Sequence, residues 1–401
     1  MRKLPREKSV CLYLSVHVPY LLARFNFFDV DSRVGFNRYF RDWNSDPGRL
    51  QRQLTTNFFL INKLFGSLLK EYDNFKLSLS FSGVALEQFR EYTPDLLVSF
   101  NELVDTGKVE IVSYPYHSPL SWLYSPKEFA EQILLNRKAI WNIFRRKPKV
   151  FGNTEFIYNN KLASFIRRLG FEGVLVGSVS KKKLNKGLLY TANPVELDDT
   201  AAEAAISFRF KQRAPEKLKI LLADDNYSLQ DIDAPGETNG KSTNIFYSYG
   251  SLSMDLQESK KVLLVLEKRL RKVLDVGTLF RSPSETIAAF DALDALDVRK
   301  TRSWIEKGNR LQKEALEEVY QIEAEVSDLA EQLNDRKRRS DLLNTWRCLQ
   351  QADHFSSMST TSFNTVTDEE YKSPYESPYD AYINYMNILN DFKSEVGRLK
   401  Q

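Results

Sequence analysis

The sequence predicts an α/β chain: a closed or nearly closed barrel of parallel strands followed by a helical domain. Three observations predict it. Strand and helix patterns alternate through residues 1–280, which implies parallel strands with helices packed outside them. The alternation supplies seven or eight units, the count of a barrel. After residue 255 the apolar residues recur at intervals of three and four, the period of a helix. An open doubly wound sheet is the competing architecture. No glycine-rich phosphate loop follows any strand, which weakens its nucleotide-binding version.

The first strand is read from Leu12, Leu14, Val16 and Val18, which share one face at period two, with Tyr13, Ser15 and His17 on the other. Phe75 to Phe81 repeats the alternation. Thr93-Pro94 opens a helix, proline being favoured in a first turn, and Gly107 closes it. Val109 to Val112 is the third strand, Pro126 to Phe144 a helix, and Lys149 to Phe151 the start of a fourth strand. Asn160 to Leu169 is a helix stopped by Gly170. Val174 to Val176, Leu218 to Leu222 and Asn244 to Tyr247 complete the strands. Residues 225–242 shift to Asp, Gly, Pro, Asn and Ser, a surface-loop composition. Further on, Leu316, Val319, Ile322, Val326, Leu329 and Leu333 form an apolar stripe. It suits a helix in the chain's own bundle, with a coiled-coil seam as the alternative. Ser359 to Ser373 reads as a polar loop and Asp380 to Leu399 as the last helix. The division expected is a barrel over 1–280 and a helical domain over 281–401.

Composition narrows the function. The chain has 401 residues, and 57 basic against 53 acidic residues leave a net charge of +4. That balance gives no reason to expect a nucleic-acid or membrane partner. Cys11 and Cys348 are the two cysteines. They form neither a disulfide framework nor a cysteine-rich zinc site, and a reducing, cytoplasmic setting is expected. The apolar run Val10 to Leu22 is broken by His17 and Pro19 and has no small-residue cleavage site after it, so it reads as a strand rather than a signal peptide. Three separated histidines offer no metal-ligand spacing. No metal or cofactor is expected, and a metal-dependent carbohydrate deacetylase is disfavoured.

In a parallel barrel the functional groups stand where strands end, at the C-terminal face. That rule selects His17 with Pro19, then Tyr114, Tyr116 and His117, then Glu155, then Asp224 and Asp225, then Ser248 and Tyr249. Taken alone, Glu155 reads as an acidic residue at a helix start rather than as a catalytic one. His117 reads as structural, and Trp122 and Trp346 as packing residues. The runs Lys181 to Lys183 and Arg336 to Arg339 read as solvated faces.

Several segments then carry a specific resemblance, in order along nearly the whole chain. SVCLYLSVHVPYLL, with His17-Val18-Pro19, resembles the opening strand of glycoside hydrolase family 57 and its His-Gln-Pro signature. KVFGNTEFIYNN resembles the segment holding that family's catalytic nucleophile, with Glu155 at the position. LLNTWRCLQQADHFSSMST and SPYESPYDAYINYMNILNDF resemble the C-terminal segments of the α-amylase-like branch, and Asp353-His354 match its substrate-side pair. The resemblance implies an incomplete, TIM-like (β/α)7 barrel followed by a C-terminal α-helical bundle. It implies action on α-glucan or an oligosaccharide with retention of configuration. His17, Asp353 and His354 are then expected on the substrate and Glu155 as nucleophile.

A retaining glycosidase needs a second carboxyl roughly 5–5.5 Å from the first. The resemblance expects it after the last barrel strand. In NIFYSYGSLSMD, with Phe246 and Tyr249 in register, Ser248 takes the acid/base Asp position and Gly250 follows in place of another acid. After the third strand, Tyr114 stands where the branch has Glu, and His117 is displaced by one position. Losing acid–base help costs on the order of 10²–10⁴-fold in rate. The sequence thus predicts an impaired hydrolase that keeps its saccharide cleft. The alternatives are a working hydrolase or transglycosylase whose substitute acid is Asp224 or Asp225 (or, less well placed, Glu237), and a non-enzymatic interaction protein.

Overall fold

In a computed structural model, the residues described are 9–29, 36–41, 49–177, 189–193, 195, 214–223, 242–252, 256–292, 294–298, 308–360 and 375–400. The strands are β1 (Ser9–Val16), β2 (Leu77–Phe81), β3 (Val109–Val112), β4 (Val150–Gly152), β5 (Gly173–Val176), β6 (Leu189–Ala192), β7 (Lys219–Leu222), β8 (Ser242–Ser248), β9 (Leu279–Phe280) and β10 (Ala295–Leu296). Among the described residues two sheets form, β3-β2-β1-β8 with β9 against β1, and β10-β6-β7-β5-β4. A parallel bridge between Ser113 and Phe151 joins them. Seven parallel strands therefore follow one another as β7-β5-β4-β3-β2-β1-β8. Among the described residues the ring stays open between β7 and β8, where the Asn244 amide donates to the Leu222 carbonyl at 3.0 Å. This is the incomplete (β/α)7 barrel the sequence predicts.

The period-two reading of β1 explains which residues face the interior. Val10, Leu12, Leu14 and Val16 pack outward against the helix Arg49–Glu71, on Phe58, Ile61, Phe65 and Leu68. Cys11 and Tyr13 turn inward, with Val112, Val150, Leu175 and Leu221. Tyr13 is fully buried in the barrel interior. Its hydroxyl meets Ser80 Oγ at 2.6 Å, and its ring stands edge-on to Phe156 and Phe246. Gly152 leaves room here, since a Cβ would lie a tight 3.1 Å from the Tyr13 hydroxyl.

The helices Pro94–Asp105, Pro126–Phe144 and Asn160–Arg168 lie close to the predicted ranges. Each starts as its sequence dictates, with Pro94, with Pro126 behind the Ser125 cap, and with Asn159 as cap. The apolar stripe over residues 316–333 departs from one continuous helix. It divides into Arg310–Gln321 and Glu323–Gln332 at Ile322, so Tyr320, Ile322 and Val326 all reach one core. The helices Arg336–Cys348, Ala352–Ser356 and Pro378–Leu399 complete the bundle around Trp346, Phe355, Tyr385 and Phe392. Leu22, Phe25 and Tyr39, from the segment after β1, join that second core. Residues 281–298 stay with the barrel, where Arg281 N–H donates to Val10 O and Asn160 N–H to Val298 O, both at 2.9 Å.

A polar clasp fixes the bundle to the barrel. Arg347 reaches Glu128 with two bonds, 2.8 and 3.1 Å, and Gln132 donates to the same carboxylate at 2.7 Å. The neighbouring Ser125 hydroxyl donates to Glu323 at 2.8 Å. Among the described residues no helix is long and apolar enough to cross a membrane.

Candidate active site

Period-two inheritance builds the cleft from the barrel interior. On β1 the inward series Cys11, Tyr13, Ser15 continues to His17. On β2 the series Ser78, Ser80 continues to Ser82. On β3 Val112 is followed by Tyr114, and on β8 Phe246 by Ser248. All four residues end at the C-terminal rim. The outward series on β8 carries Tyr249 into the helical layer among Phe58, Phe65 and Phe100, so this strand-end residue is not in the cleft.

Glu155 follows β4 in the short turn Thr154–Phe156. Its backbone is left-handed, with φ 53°, as is that of Phe156, φ 49°. Ser118, at the same rim, has φ 52°. A non-glycine residue here costs on the order of 1–3 kcal/mol, and such strain gathers at functional sites. Asn153 holds the turn, accepting from Thr154 N–H and donating to Ile157 O, both at 3.0 Å. Phe156 stacks on Phe246 with ring centres 5.6 Å apart. The Glu155 side chain stays exposed. Strands β4 and β8 lie on opposite sides of the ring, separated by β5 and β7 one way and by β3, β2 and β1 the other.

The bundle supplies the opposite wall through Gln351 to His354. Gln351 accepts from Tyr20 N–H, and Ala352 N–H donates to Ser118 O, both at 3.0 Å. This seats Asp353 over His17, whose Nε2 lies 2.9 Å from Asp353 Oδ2. His17 Nδ1 lies 2.7 Å from Ser82 Oγ. Burial opposes the Asp353 charge, but the nearby His17 ring, its hydrogen bond to the carboxylate and the adjoining His354 outweigh it and hold the carboxyl below its ordinary range. Burial raises the Tyr114 phenol; its bond to Ser118 counters, and the charges of Glu155 and then Asp353 raise it further. That phenol therefore feels both candidate acids, and it meets Ser118 Oγ at 3.1 Å.

Three of the four residues proposed from sequence thus gather at one rim: Glu155, His17 and Asp353. His354 sits behind them. Its Nε2 donates to Cys348 O at 2.9 Å, and the residue is 7% exposed. His117 binds Gln132 and Asn344, at 3.0 Å each, and so links the helices Pro126–Phe144 and Arg336–Cys348. Tyr116 bonds Glu87 at 2.7 Å. Trp346 is buried and donates to Val319 O at 2.8 Å, and Trp122 packs on Phe129 and Phe165. The candidate acids Asp224, Asp225 and Glu237, the run Lys181 to Lys183 and much of the polar loop 359–373 lie outside the described residues. Ser82 was missed by the strand-end survey, although Ser78-Ser80-Ser82 carries the signal.

The two buried histidines give a pH expectation. Burial pulls both His117 and His354 down to about 4. In the unfolded chain they would titrate near 6.5, so between the two values the unfolded state binds more protons. Stability is therefore present above about pH 6.5 and lost as pH falls towards 4, by up to about 1.4 kcal/mol per pH unit for each histidine. Urea midpoints at pH 7, 6 and 5 should fall steadily, and His117→Gln should flatten the fall. Equal midpoints at pH 7 and pH 5 would contradict the neutral, buried assignment.

The sequence profile of glycosyl hydrolase family 57 matches residues 11–286. The chain is 28% identical over 356 residues to a putative α-amylase of Methanocaldococcus jannaschii, covering 84% of this chain and 74% of that protein. It is 25% identical over 200 residues to a 4-α-glucanotransferase of Thermococcus litoralis, covering 44% of this chain and 28% of that protein. A family 57-type branching enzyme from Pyrococcus horikoshii superposes with a TM-score of 0.62 at 13% identity, covering 96% of this chain and 88% of that one. An α-amylase from Thermotoga maritima gives 0.62 at 12% identity, with 98% and 94% coverage. At these identities the two structures show a shared fold.

Proposed function

This chain belongs to glycosyl hydrolase family 57, and from that premise we propose that it binds α-glucan or a maltooligosaccharide in the cleft at the rim of the barrel, as a retaining-type hydrolase whose acid/base is missing. The observation that carries the reading is what stands at two strand ends of the ring. Glu155 presents a carboxylate after β4, and β8 ends in Ser248, a hydroxyl that accepts from Gly250 N–H at 3.2 Å. Names of relatives support the substrate class: α-amylase, 4-α-glucanotransferase and branching enzyme.

The chemistry follows from what each group can do. Glu155 attacks the anomeric carbon, forming a carboxylate–sugar ester as the bond to the leaving oxygen breaks. A sugar hydroxyl leaves well only when protonated, and serine is too weak an acid to supply that proton at neutral pH. A fluoride leaving group needs little such help. Asp353, ionised beside His17, accepts hydrogen bonds from sugar hydroxyls, and His354 holds that segment from behind.

Incubation with α-maltotriosyl fluoride tests the nucleophile. Intact-mass and peptide spectrometry should find one glycosyl adduct, on Glu155, and none in Glu155→Gln. An adduct on another carboxylate would remove Glu155 from the role. Rapid glycogen hydrolysis that disappears in Glu155→Gln would establish a working enzyme with a substitute acid.

A further inference from the structure

We propose that Ser82 is a positioning residue of the barrel rim: it donates to His17 Nδ1, leaves the imidazole proton on Nε2, and thereby aims that proton at Asp353. The three side chains are linked as Ser82 Oγ to His17 Nδ1 at 2.7 Å and His17 Nε2 to Asp353 Oδ2 at 2.9 Å. The order serine–imidazole–carboxylate resembles a hydrolytic triad, but Ser82 is 0% exposed and caps the helix Gly83–Tyr92. No acyl group reaches that oxygen, so a nucleophilic role is discarded.

The hydrogen count assigns the direction. Ser82 Oγ already accepts from Ala85 N–H at 3.2 Å. A hydroxyl has one proton to give, and His17 Nδ1 is the acceptor in reach. An imidazole that accepts at Nδ1 carries its proton on Nε2, and Asp353 Oδ2 receives it. The chain joins three separate parts of the fold: the end of β2, the end of β1, and the bundle helix Ala352–Ser356. Asp353 is thus oriented through a residue of the barrel, and a buried cap at one helix start sets the geometry of a carboxylate in the other domain.

The test has two arms. The first uses the full chain without ligand, labelled with ¹⁵N-histidine. Three histidines give a spectrum that single His→Gln variants assign. His17 should show an unprotonated Nδ1 and a protonated Nε2. In Ser82→Gly, which keeps a residue tolerated at a helix cap, the Nδ1–H form should rise about tenfold, the scale of one lost hydrogen bond. Ser82→Ala serves as the second variant, and Ser82→Thr should restore the native pattern. A native Nδ1–H tautomer, or an unchanged tautomer in folded Ser82→Gly and Ser82→Ala, would overturn the proposal.

The second arm rests on the saccharide reading given above and measures maltohexaose affinity. Ser82→Gly should weaken it about three- to tenfold, with recovery in Ser82→Thr. Unchanged affinity beside a shifted tautomer would overturn the positioning of Asp353. Native protein that ignores maltohexaose would strike the saccharide reading, while the first arm still decides the role of Ser82.

Discussion

Replacing Ser248 with aspartate is expected to raise amylose hydrolysis by about 10²–10⁴-fold, the usual worth of a general acid–base. The argument is positional. Ser248 is the last residue of β8, pairs with Ser15 in the parallel register, and continues the inward series through Phe246. An aspartate there enters the ring at the level of Ser15, one inward position below His17. The Gly250 N–H that serves Ser248 Oγ would bond the new carboxylate and favour its charged form. The acid is needed protonated in the first step, so the gain should grow as pH falls from 7 towards 5. Ser248→Asn, nearly the same shape without the proton, should give no gain. Adding Glu155→Gln to Ser248→Asp should return the rate to the native background. A folded Ser248→Asp variant no faster than native protein would mean that the missing acid belonged elsewhere.

The second large effect concerns the seam between barrel and bundle. Glu128 is 3% exposed and holds Arg347 with two bonds and Gln132 with a third. Removing one partner of a buried pair leaves an uncompensated charge and costs about 3–5 kcal/mol. Arg347→Ala is therefore expected to lose that amount in urea denaturation. Replacing both, as Glu128→Gln with Arg347→Leu, should recover part of it, because no charge is left buried and the new amide still accepts from Gln132. Arg347 lies on the helix that leads into Gln351 and Asp353, so Arg347→Ala should also weaken maltohexaose binding. A loss under about 1 kcal/mol, the value of an exposed pair, would show that the clasp is not buried in solution.

Much of the architecture could be read from the sequence because a buried parallel strand declares itself by period. The inward and outward faces of β1 were visible as Tyr13, Ser15, His17 against Leu12, Leu14, Val16, and the structure keeps that division. The inner rim was harder. Ser82 carries no chemical signature, and only its spacing from Ser78 and Ser80 marks it as inward. Whether Asp353 or His354 turned to the cleft could not be read from adjacent positions on a short helix. Packing against Cys348 and Tyr385 decided it for His354. The long helix Arg49–Glu71 is an addition to the sequence reading, although Phe58, Ile61, Phe65, Leu68 and Leu69 recur at helical spacing. The break at Ile322 was invisible because both helical segments share one apolar stripe.

Azide tests the central claim most directly. A glycosyl–Glu155 ester formed from α-maltotriosyl fluoride is released slowly when no base activates water. Azide needs no base: its nitrogen bonds the anomeric carbon as the ester bond to Glu155 breaks, giving the α-glycosyl azide. The account predicts that azide accelerates fluoride consumption by native protein, with glycosyl azide as the product. Amylose turnover would stay near background. Amylose turnover within the ordinary enzymatic range of about 1–10³ per second, unaffected by azide and yielding no glycosyl azide, would contradict it and show that the cleft already holds a competent acid.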